Sequence, residues 1–494
     1  MTTRQRTSTR LAVLFAVLAL VATACGQKPD VADVAAGGGG FDSSGQTGGG
    51  AFDGGGGGGG DLGTGSPDGA TGGTGGGTGG AGGGGTGGTA GGGAGGTGGD
   101  PAAPGGGGGA APGGGGGGDG PAPAGDRTGI SETTIKIGIH APVSGAAPFP
   151  QNSFRDGAPV YWEFLKGKGG VHGRNGEIVF EDDQFDPAVA RRVCQKMVEQ
   201  DKVFLLVGGG GADQITACAQ YANSVGVPYL SAGVNEAVLD SIRAYFALSM
   251  TYSQQSPLLV QLAKNQLGGG SFAIAVADTP SFADAHASIT REAQQGGLNI
   301  VYNKSIPKSV TPGEALSIAQ ELCTADGGQP AEIVYILASP TTFLNIATAA
   351  GGQNCVPQYI GPGITSGLNT VAQVGGNNIG AAKFLSPFPQ LDVIDRLDPD
   401  FRQAFRDQGR GNPDDIALAL WGLNKVLASM FNEAGPDMSR QSFVQTLESG
   451  AEFASGVFPP VRYSADNHFG GSQTHLLEAN DGAFRTIAEF VSSF

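Results

Sequence analysis

IKIGIHAPVSG, residues 135–145, begins as a strand-like alternation and ends in a loop of proline, serine and small residues. The same order of short apolar strand, loop and amphipathic helix recurs along the chain. A first series contains TIKIGIH, EIVFEDD, VFLLVGGGG and VPYLSAGV, and a second contains SFAIAVAD, NIVYNKSI, EIVYILAS and PQYIGPG. Near-continuous apolar strands of this length predict parallel sheets covered on both faces. The fold class is therefore α/β, with two doubly wound parallel-sheet lobes whose ligand site lies beyond the carboxyl ends of the strands.

Glycine is concentrated in one segment before these strands. The chain has 494 residues and 92 glycines, and 51 of the 89 positions from Gly37 to Gly125 are glycine. Such a composition cannot bury enough apolar surface to offset the entropy lost on ordering. No fixed period indicates a folded glycine-rich repeat. Residues 25–125 are predicted to be a disordered, flexible tether.

The N-terminus has the pattern of an export signal over residues 1–24. Arg4, Arg6 and Arg10 precede the eleven apolar residues LAVLFAVLALV, too few to span a hydrocarbon layer of ~30 Å. The following ATACGQ fits two cleavage patterns, ordinary secretion after a small-x-small triplet and lipoprotein processing before Cys25. The second pattern is similar to a lipobox, with Ala22 where leucine is commoner. We expect lipidated Cys25 to anchor the protein to the outer face of a bacterial cell membrane.

Charge restricts the partners of the remaining chain. From Asp126 onward there are 24 Lys and Arg against 36 Asp and Glu, a formal charge of −12. Nucleic-acid phosphates would be repelled, so no nucleic-acid partner is expected. The part of the chain from Asp126 onward is long enough that two lobes are expected rather than one hydrophobic core.

Enzyme motifs are weak or missing from the sequence. VGGGG (residues 207–211) lies between a strand and a helix, as a dinucleotide-binding loop would, but Asp213 occupies a glycine position of that motif. Walker A, HExxH and GxSxG patterns do not occur. Asp182 and Asp183 are adjacent in a strand and point to opposite faces, so they cannot act as a facing catalytic pair. A single histidine at a strand end, His140, is more often structural than catalytic. No cofactor and no metal are predicted.

Four cysteines follow Cys25, an even number in an exported domain where disulfides form. Three pairings are possible. Cys194 and Cys218 lie on helices that flank one strand, and Cys323 and Cys355 are close in sequence around another helix. These positions favour the bridges Cys194–Cys218 and Cys323–Cys355. None of the spacings is the C-x2-C of a zinc site.

Several segments together resemble a known family. IKIGIHAPVSG, EDDQFDP, VPYLSAGVNEAVLD, IGPGITSG and VFPPVRYSADNHFGG are similar to the leucine/isoleucine/valine-binding group of ABC-transporter substrate-binding proteins. The resemblance covers residues 133–494 and implies the type I periplasmic-binding-protein fold, with lobes joined by three hinge crossings. It implies a first lobe of about 133–251 and 387–452, and a second of about 252–386 and 453–494. Many relatives carry a disulfide at positions that correspond here to Phe185 and Gly211, so that bridge is missing.

The resemblance also assigns a ligand cleft. Loops of both lobes would line it, with Asn235 replacing a threonine, Phe282 a tyrosine and Gly363 the acid that pairs with a ligand ammonium. The implied ligand-binding residues are Ser144, Phe149, Gly210, Ala212, Asp213, Ala232, Gly233, Asn235, Asp278, Phe282, Ser339 and Gly363.

The glycine at position 363 bears on the ligand, because a buried ammonium without a carboxylate is costly. Either Asp213 or Asp278 supplies the charge, or the ligand is not an α-amino acid. Phe149, Phe282 and Phe343 would give an apolar lining unless some of them are core. The resemblance implies a monomeric binding protein without catalysis that delivers a small solute to a membrane permease. A ligand sensor and an unrecognised enzyme are the alternatives.

Overall fold

The computed structural model describes residues 125–363 and 368–494. The predicted signal peptide, Cys25 and the tether up to residue 124 lie outside this part of the chain. The described residues contain two large sheets and a two-stranded hairpin, β11–β12. The strands, in chain order, are β1 (Thr134–Ala141), β2 (Asn175–Asp182), β3 (Leu205–Gly208), β4 (Tyr229–Ser231), β5 (Tyr245–Ala247), β6 (Ser271–Ala277), β7 (Asn299–Ile306), β8 (Ile333–Leu337), β9 (Gln358–Pro362), β10 (Lys383–Ser386), β11 (Ser449–Phe453), β12 (Val461–Ser464), β13 (Thr474–Asn480) and β14 (Ala483–Val491).

Helices cover both sheets. A π-helix, Ser153–Gly157, precedes the first α-helix, and short 3-10 turns occupy Pro280–Phe282 and Gly376–Ile379. The α-helices are α1 (Val160–Gly167), α2 (Pro187–Glu199), α3 (Ala212–Ser224), α4 (Glu236–Leu239), α5 (Tyr252–Asn265), α6 (Ala283–Gln295), α7 (Pro312–Cys323), α8 (Pro340–Gly351), α9 (Leu368–Gly375), α10 (Ile394–Leu397), α11 (Asp400–Asp407), α12 (Asp415–Ala434) and α13 (Arg440–Leu447).

The two sheets have the same winding. The first has the order β2-β1-β3-β4-β5, with every pair parallel. In the second, β7-β6-β8-β9-β10 repeats that order with parallel pairs, and β13 and β14 extend it in antiparallel fashion. Strand order reverses between β1 and β3 and again between β6 and β8. These are the two topological switch points, and the predicted doubly wound α/β fold is confirmed.

Local sequence explains the elements. All seven residues of β6, SFAIAVA, are buried, as expected for a strand covered on both faces. Capping boxes begin α5 at Thr251 with Gln254 and α7 at Thr311 with Glu314, where side chain and backbone exchange hydrogen bonds. Among the residues that the structure describes, no helix combines the length and the apolarity that crossing a membrane requires.

The chain passes between the lobes three times. It leaves the first sheet after β5, returns after β10, and enters the second sheet again at Thr474, where β13 begins. The third crossing lies later than the boundary expected at Glu452. Phe453, Phe458 and Tyr463 belong to the hydrophobic core under the first sheet, and the backbone of Phe469 bridges to β5. Apolar side chains of the β11–β12 hairpin therefore extend the first lobe to about residue 469.

Both predicted disulfides are present. Cys194 on α2 is bonded to Cys218 on α3, and Cys323 at the end of α7 is bonded to Cys355 after α8. The Cα atoms are 5.9 Å apart in each pair. Each bridge joins neighbouring helices of one lobe, so neither restricts the movement of one lobe against the other.

Candidate functional site

Two cavities open at the carboxyl ends of the strands, one at each switch point. The cleft cavity lies between the lobes and comprises about 630 Å³ of space, part of it open to solvent. Its wall contains the end of β6, the end of β8 and the first turn of α3. The residues that line it are Phe185, Gly210, Gly211, Ala212, Asp213, Gln214, Tyr252, Ala277, Thr279, Phe282, Lys308, Ile336, Leu337, Ala338, Ser339, Pro340, Pro362 and Gly363.

The first-lobe cavity lies at the switch point between β1 and β3 and comprises about 650 Å³ of space, part of which is open to solvent. Strand ends form one wall, and α12 forms the opposite wall. The residues that line it are Ile139, His140, Ala141, Phe149, Phe154, Val207, Gly208, Gly209, Ser231, Ala232, Leu248, Pro387, Phe388, Ile416, Ala419, Leu420, Leu423 and Phe458.

The N-terminus of α3 faces the cleft cavity. Gly211 is its N-cap residue and provides no side-chain cap, so the first amides of the helix have no side-chain acceptor. Gln214, in the same turn, is 1 % exposed, and neither its Oε1 nor its Nε2 has a hydrogen-bond partner. A side chain at position 211 would collide with the Gln214 amide, so glycine leaves room for the amide in this position. A buried amide without partners and an uncapped helix start together provide donors for an anionic group.

Asp213 contributes the acidic group of the cleft cavity. Its Oδ1 accepts a hydrogen bond of 2.7 Å from the Thr279 hydroxyl, and its Oδ2 accepts one from Lys308 Nζ. Burial alone would raise the pKa of Asp213, but hydrogen bonds from Lys308, Thr279 and Ser281 together hold it below its usual value. The contribution of the pair to stability is therefore present above the unfolded pKa of the carboxyl and is lost as the pH falls through the lowered folded value. At neutral pH, Asp213 is already paired with Lys308.

His140 ends β1 behind the first-lobe cavity and is fully buried. Its Nδ1 lies 2.8 Å from Asp183 Oδ2, and its Nε2 lies 2.9 Å from the hydroxyl of Tyr229. Since a carboxylate accepts hydrogen bonds, Nδ1 donates to Asp183, and in the neutral imidazole Nε2 then accepts from Tyr229. Burial raises the pKa of the Tyr229 hydroxyl well above its usual value, so the hydroxyl stays protonated. Both ring nitrogens are used within the protein, which makes His140 a structural residue of the β1–β3 edge.

Both cavities contain residues predicted from the sequence. Half of the twelve predicted ligand-binding residues line the cleft cavity, and two more line the first-lobe cavity. Those in the cleft cavity are Gly210, Ala212, Asp213, Phe282, Ser339 and Gly363. Those in the first-lobe cavity are Phe149 and Ala232.

The other four predicted residues line neither cavity. Ser144 is exposed and donates a hydrogen bond of 2.6 Å to Asp182. The Gly233 amide donates to Ser249 Oγ at 2.9 Å. Asp278 is exposed and lines a separate open groove of the second lobe, beside His286 and Arg291.

Asn235 is also occupied by the protein itself. Its side-chain oxygen caps α4 by accepting from the Val238 amide at 3.1 Å, and its Nδ2 donates to the Pro280 carbonyl at 3.2 Å. The side chain is 1 % exposed, so it holds the two lobes together and presents no free group to a ligand. Phe343, another candidate lining residue, is fully buried in the second-lobe core.

Twelve of the eighteen residues that line the cleft cavity were not among the predicted ligand-binding residues, and four of these twelve have large side chains next to Gly211 or Asp213 or at the start of α5. Lys308 follows β7, Tyr252 begins α5, and Gln214 follows Asp213 in α3. Phe185 was recognised only as the replacement of a cysteine; its ring packs close to Gly211, as two positions of a bridge would. Gln214 could have been predicted from its position, because it is a polar residue in the first turn of a helix that follows a glycine-rich cleft loop.

Contacts across the cleft join the lobes. Besides the Asp213 contacts, the amide of Glu236 at the start of α4 donates to Asp284 Oδ2 at 2.8 Å. The hydrogen bonds between the lobes close one rim of the cleft. Within the second lobe, Tyr252 and Phe282 pack edge to face beside this rim, with ring centroids 5.7 Å apart.

One group of potential metal ligands occurs among the described residues. The group consists of His140, Cys194 and Cys218, and their potential metal-binding atoms lie within 4.8 Å of one another. The two sulfurs are bonded to each other, and both nitrogens of His140 have protein partners. The disulfide and the hydrogen bonds explain this cluster without an ion.

Comparison with known proteins places this geometry in a family. The profile of a family described as periplasmic binding protein matches residues 134–483. No curated protein matches the chain. Many solved structures do, and the three described below are so distant in sequence that their likeness shows the fold alone.

Three of these structures illustrate the range of compounds that similar proteins bind or transport. A branched-chain amino acid ABC transporter protein from Thermus thermophilus with bound valine is 15% identical, with a TM-score of 0.61, and 74% of this chain and 98% of that chain are covered. A solute-binding protein from R. palustris in complex with 4-hydroxybenzoate is 17% identical, with a TM-score of 0.59 and coverage of 73% and 98%. A fatty acid ABC transporter substrate-binding protein from Thermomonospora curvata is 17% identical, with a TM-score of 0.62 and coverage of 74% and 95%.

Proposed function

Because the chain belongs to the periplasmic binding protein family, whose members bind solutes outside the cytoplasm, we propose that it is the substrate-binding component of an ABC importer. It captures a small solute that carries a carboxylate and an apolar portion between its two lobes. It catalyses no reaction. A membrane permease recognises the closed, liganded form, because closure brings surfaces of both lobes together.

The observation that supports a carboxylate is the start of α3. The Gln214 amide is buried without a partner, and the uncapped amides of the same turn line the same cavity. A carboxylate would accept hydrogen bonds from both, and the helix dipole favours its charge. Ser339 begins α8 on the opposite lobe, and a second helix N-terminus therefore adjoins the cavity, although the Ser339 side chain caps it by accepting from the Thr342 amide. Valine, 4-hydroxybenzoate and fatty acids, named for the three solved structures above, are all carboxylic acids.

The charges of the cleft cavity disfavour an α-amino acid. Asp213 is the acid among its described lining residues, and Lys308 already neutralises it. Asp278 lies outside the cavity, and Gly363 provides no carboxylate. A ligand ammonium would therefore be buried without a counter-charge. The ligand is an anion that lacks an ammonium group.

Deaminated acids are expected to bind more tightly than amino acids. We expect 4-methyl-2-oxopentanoate, the 2-oxo analogue of leucine, to bind at least about tenfold more tightly than leucine, because only leucine buries an unpaired ammonium. Leucine amide, a cation without a carboxylate, is expected to show no measurable binding. Titration calorimetry with the three compounds measures their relative affinities. A thermal-shift screen can test further carboxylates, since a ligand at 100 times its Kd stabilises the folded protein by about 2.7 kcal/mol. Tight leucine binding that survives Asp213→Asn would contradict the proposal.

Lipidation of Cys25 would hold the protein at the membrane beside its permease. We expect the full-length protein to fractionate with membranes and Cys25→Ala to appear in the soluble fraction or as unprocessed precursor, because the thiol is the site of lipid attachment. Membrane fractionation followed by immunoblotting measures the distribution. Ala22→Leu, which brings the sequence closer to a lipobox, is the control and should stay with the membrane. A Cys25→Ala protein that is processed and still sediments with membranes would exclude the lipid anchor.

A further inference from the structure

We propose that the first-lobe cavity receives a hydrocarbon chain of the ligand, so that the solute is an amphiphilic carboxylate with its head group at Gln214 and its apolar chain between the first sheet and α12. This inference rests on the proposed function, since it extends the same ligand into a second cavity. The cavity lies at the β1–β3 switch point, where doubly wound sheets bind ligands.

The polar side chains in the wall of the first-lobe cavity are already satisfied. His140 uses both nitrogens on Asp183 and Tyr229. The Ser231 hydroxyl donates to the Ala232 carbonyl at 2.9 Å and lies 3.0 Å from the Tyr245 hydroxyl. A polar head group would find no free side-chain partner there, whereas an apolar chain would lose only its contact with water.

Helix α12 presents an apolar stripe to this cavity. Ile416, Ala419, Leu420 and Leu423 follow the spacing of one helix face, and all four line the cavity. Ile416, Leu420 and Leu423 are buried in the first-lobe core, so the helix provides an apolar wall that is already formed on this side of the cavity. A hydrocarbon chain inserted into the cavity would contact this apolar wall and lose its contact with water.

The two cavities share one wall. Gly208 and Gly209 line the first-lobe cavity, and the next two glycines line the cleft cavity. The Phe149 ring, which lines the first-lobe cavity, packs so closely on Gly210 that a Cβ there would lie 2.6 Å from Phe149 Cζ. Phe149 thus stands where the cavities adjoin, and rotation of its side chain would admit a chain from one to the other.

A series of linear carboxylates tests the inference on the full-length protein. We expect affinity to rise from hexanoate through octanoate to decanoate by about fourfold for each methylene that enters the cavity. Ala419→Phe fills the cavity from α12 and should remove most of the gain between hexanoate and decanoate. Ala419→Leu, a smaller change, should remove part of it and is the test if the phenylalanine variant does not fold. Titration calorimetry below the critical micelle concentration provides the dissociation constants.

Asn432→Phe is the matched control, because Asn432 is exposed on the same helix about 20 Å from Ala419. It should keep the wild-type ratio of hexanoate to decanoate affinity. If hexanoate and other short carboxylates bind but decanoate binds no more tightly, or if Ala419→Phe weakens all chain lengths equally, the inference is overturned and the proposed function stands. If no carboxylate of any length binds, both are overturned.

Discussion

Replacing His140 with leucine is expected to lower the free energy of unfolding by about 3–5 kcal/mol, because Oδ2 of the buried Asp183 carboxylate loses its hydrogen-bond donor and only the Phe185 amide still donates to this carboxylate. Asp183 and His140 are both fully buried, and the Nδ1 to Oδ2 distance is 2.8 Å. Tyr229 would lose its acceptor at the same time. The loss is a large fraction of the 5–15 kcal/mol that is typical of a folded domain. Urea unfolding with an unchanged m-value measures it.

Two further variants test whether the loss of stability comes from the His140–Asp183 contact or from replacing any histidine with leucine. His286→Leu is the control: His286 on α6 is only partly buried and is bonded to Asn303, and its loss should cost less than about 1 kcal/mol. Adding Asp183→Asn to His140→Leu should recover part of the stability, because the buried charge is then gone. If His140→Leu is as stable as the control, the His140 contacts have no energetic role.

The fold was predictable because its evidence is local and repeated. Each strand of the second series, such as SFAIAVA, is apolar along its whole length, since both faces of the sheet are covered. The disulfides followed from the order of helices and strands. The third crossing was misplaced because the β11–β12 hairpin has the alternating pattern of any edge strand, and only its contacts with Phe246 and other first-lobe residues show where it packs.

The cleft was only partly predictable, because a residue's position in a loop does not determine which way its polar groups point. Asn235 precedes a helix and is an N-cap residue by type, and its capping bond to Val238 uses the oxygen that a ligand would need. Asp213 was one of two acids considered as partners of a ligand ammonium, but in the structure it is paired with Lys308, which lies 95 residues later in the chain. An ion pair between residues of different lobes depends on the relative position of the lobes, which the local sequence does not indicate.

Gln214→Leu is expected to weaken the binding of any carboxylate ligand by roughly 5- to 150-fold, which corresponds to about 1–3 kcal/mol for a buried charged group that loses a hydrogen bond. The same change should not destabilise the ligand-free protein. Neither Oε1 nor Nε2 has a partner within it, so leucine would remove a desolvated amide and retain most of the apolar contact. Affinity and stability are thus expected to change in opposite directions.

These opposite changes distinguish a ligand-binding glutamine from a structural one. Calorimetry with 4-methyl-2-oxopentanoate measures the affinity, and the melting temperature without ligand measures the stability. Gln220→Leu, the same substitution at an exposed position of α3, should alter neither. If Gln214→Leu melts at a lower temperature but binds as tightly as the wild type, the amide makes bonds within the protein, and the carboxylate site at the start of α3 is wrong. If affinity falls while the melting temperature holds or rises, the unpaired amide is retained in the fold because the ligand completes it.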